Sequence, residues 1–165
     1  MLSRLAEMGV PIMSEIASEL AGSSGVCLIT RRTIPATAER LFEAWTQPAD
    51  LLRWWGPSGV KCTEARIDLR VGGAYLIANE LPDGTSVVIT GDFEVVEQPY
   101  RLVYSWRIDP RIECSERVTV RFEPREGATE VVVIHERIAN LALRDGHERG
   151  WRGCLEKLQM FLAGS

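Results

Sequence analysis

Two histidines are the side chains of this sequence best suited to proton transfer near neutral pH. His135 is expected in a strand, in phase with Val131 and Val133, and it is the candidate general base. Glu136 follows directly and points to the opposite face, so its carboxylate cannot orient the imidazole. A hydrogen-bonded histidine in the core is the more common role. His147 falls in the first turn of the last predicted helix and is expected at solvent or at an entrance.

Two adjacent tryptophans, Trp54 and Trp55, end a short predicted helix. Neighbouring residues of a helix cannot face the same way, so one ring is expected in the core and the other at a cavity mouth. A rigid aromatic ring at such a mouth offers a large contact surface to a small molecule. Core packing of both rings is the alternative.

Two later strands each carry apolar and polar-tipped side chains on one face. Such faces suit a ligand cavity as well as a packed core, and periodicity alone leaves both open. The first face carries Tyr75, Ile77 and Asn79, and the second carries Leu102, Tyr104, Trp106 and Ile108. Charged residues are expected to form a solvated sheet face, made of Asp92, Glu94, Arg107, Arg121, Arg137 and the cluster at 111–117.

The cysteines give no sign of a metal site. No C-x-x-C occurs and only two histidines are present, so the spacing argues against zinc, and no cofactor is implied. Reduced, mostly buried thiols in a cytoplasmic protein are the expected state. The four cysteines are Cys27, Cys62, Cys114 and Cys154.

Length and composition are those of one globular domain. The 165 residues are 45% hydrophobic and 25% charged, which is enough apolar material for one core. The net charge of −4 argues against a nucleic-acid partner. No run approaches the ~20 apolar residues of a membrane span, and the acidic and proline residues near the start argue against a signal peptide. The oligomeric state is left open between a monomer and a homodimer.

The elements that must position these residues follow in order. Residues 1–25 are an extension with a flexible joint at 21–25, and Met13 is an alternative initiator. Residues 26–163 form the domain. Strands are predicted at 26–34, 60–69, 74–81, 86–96, 100–108, 115–122 and 129–138, and short helices at 38–45 and from 48. Short turns between successive strands imply an antiparallel meander.

The last helix is predicted at 145–162. Its apolar stripe carries Trp151, Leu155, Leu158 and Leu162 at steps of four, three and four. Asp145 is expected to cap its start with Glu148 as the capping-box partner. Gly150 and Gly153 flank the tryptophan, and each costs about 1 kcal/mol relative to alanine inside a helix. Bare backbone there would let the helix approach a sheet or a bound molecule closely.

The predicted fold is α+β. A curved antiparallel sheet of about seven strands must cover its apolar face, and only the last helix is long enough to do so. The sheet is therefore expected to wrap around that helix, with the two short helices closing one end.

An ordered set of segments resembles the activator of Hsp-90 ATPase homologue-like family, within the START-like (SRPBCC, helix-grip) superfamily. The segments are 31–36 (RRTIPA), 52–57 (LRWWGP), 68–73 (DLRVGG), 99–106 (PYRLVYSW) and 150–151 (GW). The resemblance spans about 26–162 and implies a helix-grip fold that binds hydrophobic or lipid-like small molecules between sheet and helix. The family takes its name from a co-chaperone, so the resemblance also implies a chaperone partner. That co-chaperone engages the chaperone through an additional N-terminal domain, and the residues before 26 are too few for one.

Three hypotheses follow. The first is a small-ligand-binding protein without catalytic residues. The second is a hydrolase or cyclase with His135 as base, and the third is a co-chaperone or interaction module. The expected cavity lining is Trp54, Trp55, Tyr75, Ile77, Tyr104, Trp106, His135, Trp151 and Leu155.

Overall fold

The structure is a computed structural model that describes residues 25–108 and 115–164. Its strands are β1 Val26–Ile34, β2 Lys61–Ile67, β3 Ala74–Glu80, β4 Ser86–Glu97, β5 Arg101–Trp106, β6 Glu116–Arg125 and β7 Ala128–Ile138. Its helices are α1 Ala38–Thr46, α2 Pro48–Trp54 and α3 Leu141–Ala163. Predictions at 1–24, the turn at 109–111 and Cys114 lie outside the described residues.

The strands form one curved antiparallel sheet in the order β1-β7-β6-β5-β4-β3-β2. Strands β2 to β7 follow one another as the predicted meander, and β1 completes the sheet by pairing with β7, with Ile29 opposite Ile134. A register shift between Phe93 and Val95 interrupts the β4–β5 ladder, as bulges do where a sheet bends. The predicted helix-grip fold is confirmed.

The two short helices begin at residues that favour a helix start. Thr37 accepts a hydrogen bond from the backbone of Arg40 at 3.1 Å and so caps α1. Pro48 opens α2 at a position where a missing N–H costs nothing. Together these helices bring Trp45 and Trp54 into the core.

The long helix starts earlier than predicted. Asn140, not Asp145, is its N-cap, and the Asn140 side chain accepts from the backbone N–H of Leu143 at 2.9 Å. Asp145 and Glu148 instead form ion pairs with Arg144. The capping-box prediction was wrong because Asn140 and Asp145 are both acceptable N-caps, and Gly146 made the turn that follows Asn140 look unlike a helix interior.

The predicted apolar stripe of α3 is confirmed. Trp151, Leu155 and Leu158 are fully or almost fully buried, and Leu162 is half-buried against the core. The stripe packs against one face of the sheet, where the Trp151 indole meets β7. Among the described residues, no helix is long and apolar enough to cross a membrane.

Candidate functional site

A cavity of about 270 Å³ lies between α3, the segment that follows α2, and the ends of β3, β4 and β5. Its surface is almost entirely apolar. The lining comprises Trp55, Gly56, Pro57, Val60, Asn79, Leu81, Val87, Ile89, Trp106, Ile108, Gly146, His147, Gly150, Trp151 and Cys154. An apolar space with a few polar groups is the usual form of a small-molecule site.

Three glycines of α3 have different surroundings. Gly146 and Gly150 are one turn apart and both line the cavity, and a Cβ built on Gly150 would meet nothing within 4 Å. A Cβ on Gly153 would lie 2.7 Å from the Cβ of Pro57, so Gly153 permits close packing of the helix on that loop. Bare backbone at Gly153 therefore lets the helix approach a loop rather than the sheet, and at Gly150 it borders the cavity.

The structure divides the expected lining residues into three groups. Trp55, Trp106 and Trp151 line the cavity. Tyr75, Ile77 and Tyr104 surround a second space of only about 10 Å³, beside Trp55 and Trp106, because aromatic rings fill the centre of the sheet. Trp54, His135 and Leu155 are buried in the core and line neither space.

Both adjacent tryptophans are buried in the core, and only Trp55 also borders the cavity. Trp54 is completely buried, and its indole N–H donates to the carbonyl of Ala44 at 2.8 Å. Trp55 caps the end of α2 in extended conformation and turns its ring toward the cavity. Trp45 packs against both rings, so the tryptophans connect the core to the cavity wall.

A polar cluster adjoins this cavity, and its centre is Glu116 at the start of β6. Nε2 of His147 lies 2.8 Å from Glu116 Oε1, and Nε2 of His135 lies 3.2 Å from the same oxygen. The second contact falls short of an aligned hydrogen bond, since His135 Nε2 has no hydrogen-bond partner by geometry. The imidazoles stack with ring centroids 4.5 Å apart. His147 alone of the three lines the cavity.

The place of Glu116 corrects the sequence prediction for the cluster at 111–117. Its side chain is 16% exposed and faces the helix side of the sheet rather than bulk solvent. Glu116 is in phase with Val118, Val120 and Phe122, all buried, so alternation in β6 was the signal that could have found it. The prediction of a solvated face was wrong for Glu116 because alternation along β6 turns this charged residue toward the helix side of the sheet.

Trp151 fixes the tautomer of His135. The indole N–H can only donate, and it lies 3.0 Å from Nδ1 of His135. Nδ1 therefore carries the lone pair and Nε2 carries the proton, which faces the Glu116 side. If a histidine acts as a base on a molecule in the cavity, the geometry therefore favours His147, which lines the cavity, over His135.

The charge states of the cluster follow from burial and from the mutual contacts. Burial alone would raise the pKa of Glu116, but its interactions with His135 and His147 outweigh burial and lower that pKa to about 2. Burial lowers the pKa of His135, against the opposing effect of Glu116. At neutral pH Glu116 is ionised and His135 is neutral.

Glu116, His135 and His147 are also the one grouping of the described residues whose donor atoms could surround a metal ion, all within 4.8 Å. The spacing of these residues in the sequence did not reveal the grouping, because β6, β7 and α3 each contribute one of its members. However, a metal at His135 requires a free lone pair on Nε2. The Trp151 hydrogen bond leaves that lone pair on Nδ1 instead, so the tautomer that this contact implies does not fit metal ligation.

Comparisons with known proteins support the fold. The family model described as Activator of Hsp90 ATPase homolog 1-like protein matches residues 35–163. Solved structures include protein CV1439 from Chromobacterium violaceum, with 24% identity and a TM-score of 0.75 over 81% of this chain and 94% of that chain. No curated protein matches.

Two further solved structures are similar over most of their length. One is an AHSA1 protein from Silicibacter pomeroyi, with 26% identity and a TM-score of 0.72 over 84% of this chain and 98% of that chain. The other is a protein from Rhodobacter sphaeroides, with 28% identity and a TM-score of 0.72 over 87% of this chain and 95% of that chain.

Proposed function

The chain belongs to the Activator of Hsp90 ATPase homolog 1-like family, and from that premise we propose that it binds a small apolar or amphipathic molecule in the cavity beneath α3. The single observation that carries the proposal is an apolar cavity whose helical wall is bare backbone at Gly146 and Gly150. The resemblance to helix-grip proteins points to the same kind of ligand.

The size of the cavity limits the ligand. A dry protein cavity of about 150 Å³ accepts benzene, and this cavity measures about 270 Å³. A molecule about twice the size of benzene, such as a substituted benzene or a naphthalene, therefore fits, whereas a long-chain lipid does not fit entirely within it. Burial of its apolar surface would supply the affinity.

The two lining glycines support a ligand contact over simple packing. Glycine costs about 1 kcal/mol relative to alanine in a helix interior, and at Gly150 no neighbouring atom explains that cost. Free access of a ligand to the helix backbone does explain it. The cytoplasm is the proposed location, since the described cysteines Cys27, Cys62 and Cys154 are unpaired thiols.

The indole N–H signals of the tryptophans provide a direct test by two-dimensional NMR. We expect titration with butylbenzene to shift the signals of Trp106 and Trp151, which line the cavity, far more than that of Trp54, which lies in the core. Native mass spectrometry of the gently purified protein is expected to show a retained small molecule.

A matched pair of variants separates the cavity from nonspecific binding. Gly150→Leu places a side chain in the cavity, while Arg149→Leu places the same side chain on the exposed side of α3. We expect at least tenfold weaker butylbenzene binding in the first variant and unchanged binding in the second. Equal binding by both variants, or no shift at Trp106 and Trp151, would overturn the proposal.

A further inference from the structure

The cavity has an open end and a closed end. At the open end Ile108 is 43% exposed, and Gly146 is exposed as well. At the closed end lie Trp55 and Trp106, which are 3% and 7% exposed, together with the buried side chain of Ile89. A ligand therefore enters past Ile108 and Gly146 and reaches the two tryptophan rings last.

A second, nearly filled space lies behind these two rings. It measures about 10 Å³, and Trp55 and Trp106 line it as well as the cavity. A space of that size holds at most about one water molecule. Its remaining walls come from α1 and from the strands, and comprise Trp45, Ile67, Tyr75, Ile77, Phe93 and Tyr104. The two rings thus separate the cavity from a space that is too small to admit any part of a ligand.

Neighbouring rings hold Trp55 and Trp106 in place. Their centroids are 6.3 Å apart, and the Trp151 ring packs against both, at 5.7 Å from Trp55 and 5.5 Å from Trp106. Trp45 also contacts the ring of Trp55, and His135 contacts that of Trp106. Because protein interiors are packed as densely as organic crystals, rings surrounded in this way have little room to turn. The closed end of the cavity is therefore a fixed wall.

The closed end offers a ligand no polar atom. Oδ1 of Asn79 and Nε1 of Trp106 lack hydrogen-bond partners, but neighbouring atoms cover both, so a molecule in the cavity cannot reach them. A hydroxyl or charged group of a ligand placed there would lose its water without a replacement, which is unfavourable. The polar group of an amphipathic ligand therefore stays at the open end, where water reaches it.

We propose that Trp55 and Trp106 determine the ligand class: the cavity takes an amphiphile of limited length, with its hydrocarbon end against the two rings and its polar head at the open end. The inference rests on the proposed function and specifies its ligand. A cavity of about 150 Å³ accepts benzene, so the 270 Å³ of this cavity accept an apolar part of about ten carbon atoms. Further methylene groups find no space beyond the rings and stay in water.

A series of 1-alkanols from hexanol to dodecanol tests the length limit, by calorimetric titration of the protein into each alkanol. For wild type we expect the affinity to rise about threefold with each added CH2 up to about ten carbons, because each one is buried. Beyond that length the affinity should rise by less than about 1.5-fold per CH2, since the added groups stay in water. An affinity that keeps rising at the same rate to dodecanol would overturn the inference.

The diol 1,8-octanediol tests the orientation, since one of its hydroxyl groups must leave water at the closed end. We expect it to bind at least about tenfold more weakly than 1-octanol, which has the same chain and a single hydroxyl. A diol that binds as tightly as 1-octanol would show that the closed end accepts a polar group, and it would overturn the inference.

A matched pair of variants assigns the limit to the wall. Trp106→Leu and Trp54→Leu both remove an indole from the core, but Trp54 lines neither space. Trp106→Leu should join the cavity to the second space and extend the rising part of the series to dodecanol, whereas Trp54→Leu should leave the limit at about ten carbons. Trp55→Leu opens the same wall from the other ring.

Circular dichroism shows which variants fold, and the wild-type series and the diol decide the inference even where a variant does not. A limit that stays at the wild-type length in folded Trp106→Leu or Trp55→Leu would overturn the role of the two rings. Failure of every alkanol to bind wild type would instead overturn the proposed function itself.

Discussion

The indole N–H of Trp151 on α3 donates to Nδ1 of His135 on β7, with 3.0 Å between the two nitrogens. This side-chain hydrogen bond joins the last helix to the sheet within the buried core. It also leaves the proton of the neutral imidazole on Nε2, the nitrogen that lies beside Glu116. One contact therefore helps to dock the helix and sets the tautomer of a histidine beside the cavity.

Removal of the Trp151 donor is the first prediction. Trp151→Phe should lower the free energy of unfolding by about 2 kcal/mol, since it leaves a buried acceptor unpaired and removes buried atoms. His135→Leu should cost a similar amount. The double variant should cost about 1 kcal/mol less than the sum, because no unpaired partner remains. Urea unfolding measures all four proteins, and strict additivity would show that the hydrogen bond contributes nothing.

The second prediction concerns pH. Burial lowers the pKa of His135 in the folded protein, so below the ordinary histidine pKa of about 6.5 the unfolded chain binds a proton that the folded chain does not. The stability that depends on neutral His135 is present above pH 6.5 and is lost as pH falls below it. The slope approaches at most about 1.4 kcal/mol per pH unit for one proton.

The measurement is urea unfolding of wild type and of His135→Gln at several pH values from 8 to 5. We expect the variant to lose less stability than wild type below pH 6.5, because glutamine does not titrate there. Circular dichroism at pH 8 serves as the folding control. Parallel profiles for the two proteins would show that His135 is not the group responsible.

The fold could be predicted because its signals are local. Alternating apolar residues and turn sequences mark each strand, and the spacing of Trp151, Leu155 and Leu158 marks the helix. Even the pairing of neighbouring strands follows from short turns. The start of α3 was missed since Asn140 and Asp145 are both acceptable caps, and tertiary contacts rather than cap chemistry distinguish them.

The site could be predicted only in part because its members come from distant segments. Trp55, Trp106 and Trp151 lie in the cavity wall as the sequence prediction has them, whereas nothing local shows that rings fill the sheet centre at Tyr75 and Tyr104. Likewise, Glu116 meets two histidines from β7 and α3 only after the sheet and helix have packed. The phase of β6 places the carboxylate on the right face, yet no sequence spacing gives its partners.

The third prediction is that zinc does not stabilise the protein. The tautomer of His135 leaves no lone pair for a metal on the Glu116 side, so saturating ZnCl2 should shift the melting temperature by less than about 1 °C. A genuine site at 100 times its dissociation constant would add about 2.7 kcal/mol and raise the melting temperature by several degrees. Glu116→Gln is the control, and a zinc-dependent rise in wild type that this variant lacks would refute the tautomer assignment.

The last prediction uses two glycines three residues apart in the same helix. Alanine is better than glycine in a helix interior by about 1 kcal/mol, and at Gly150 the added methyl group meets no atom within 4 Å. Gly150→Ala should therefore raise the free energy of unfolding by up to about 1 kcal/mol.

At Gly153 the same methyl group would lie 2.7 Å from the Cβ of Pro57. The helix or the loop must then move, at about 1–3 kcal/mol, so Gly153→Ala should destabilise the protein despite the better helix propensity. Chemical unfolding of both variants checks the opposite signs, and equal stabilisation by both would mean that the helix does not pack against the Pro57 loop.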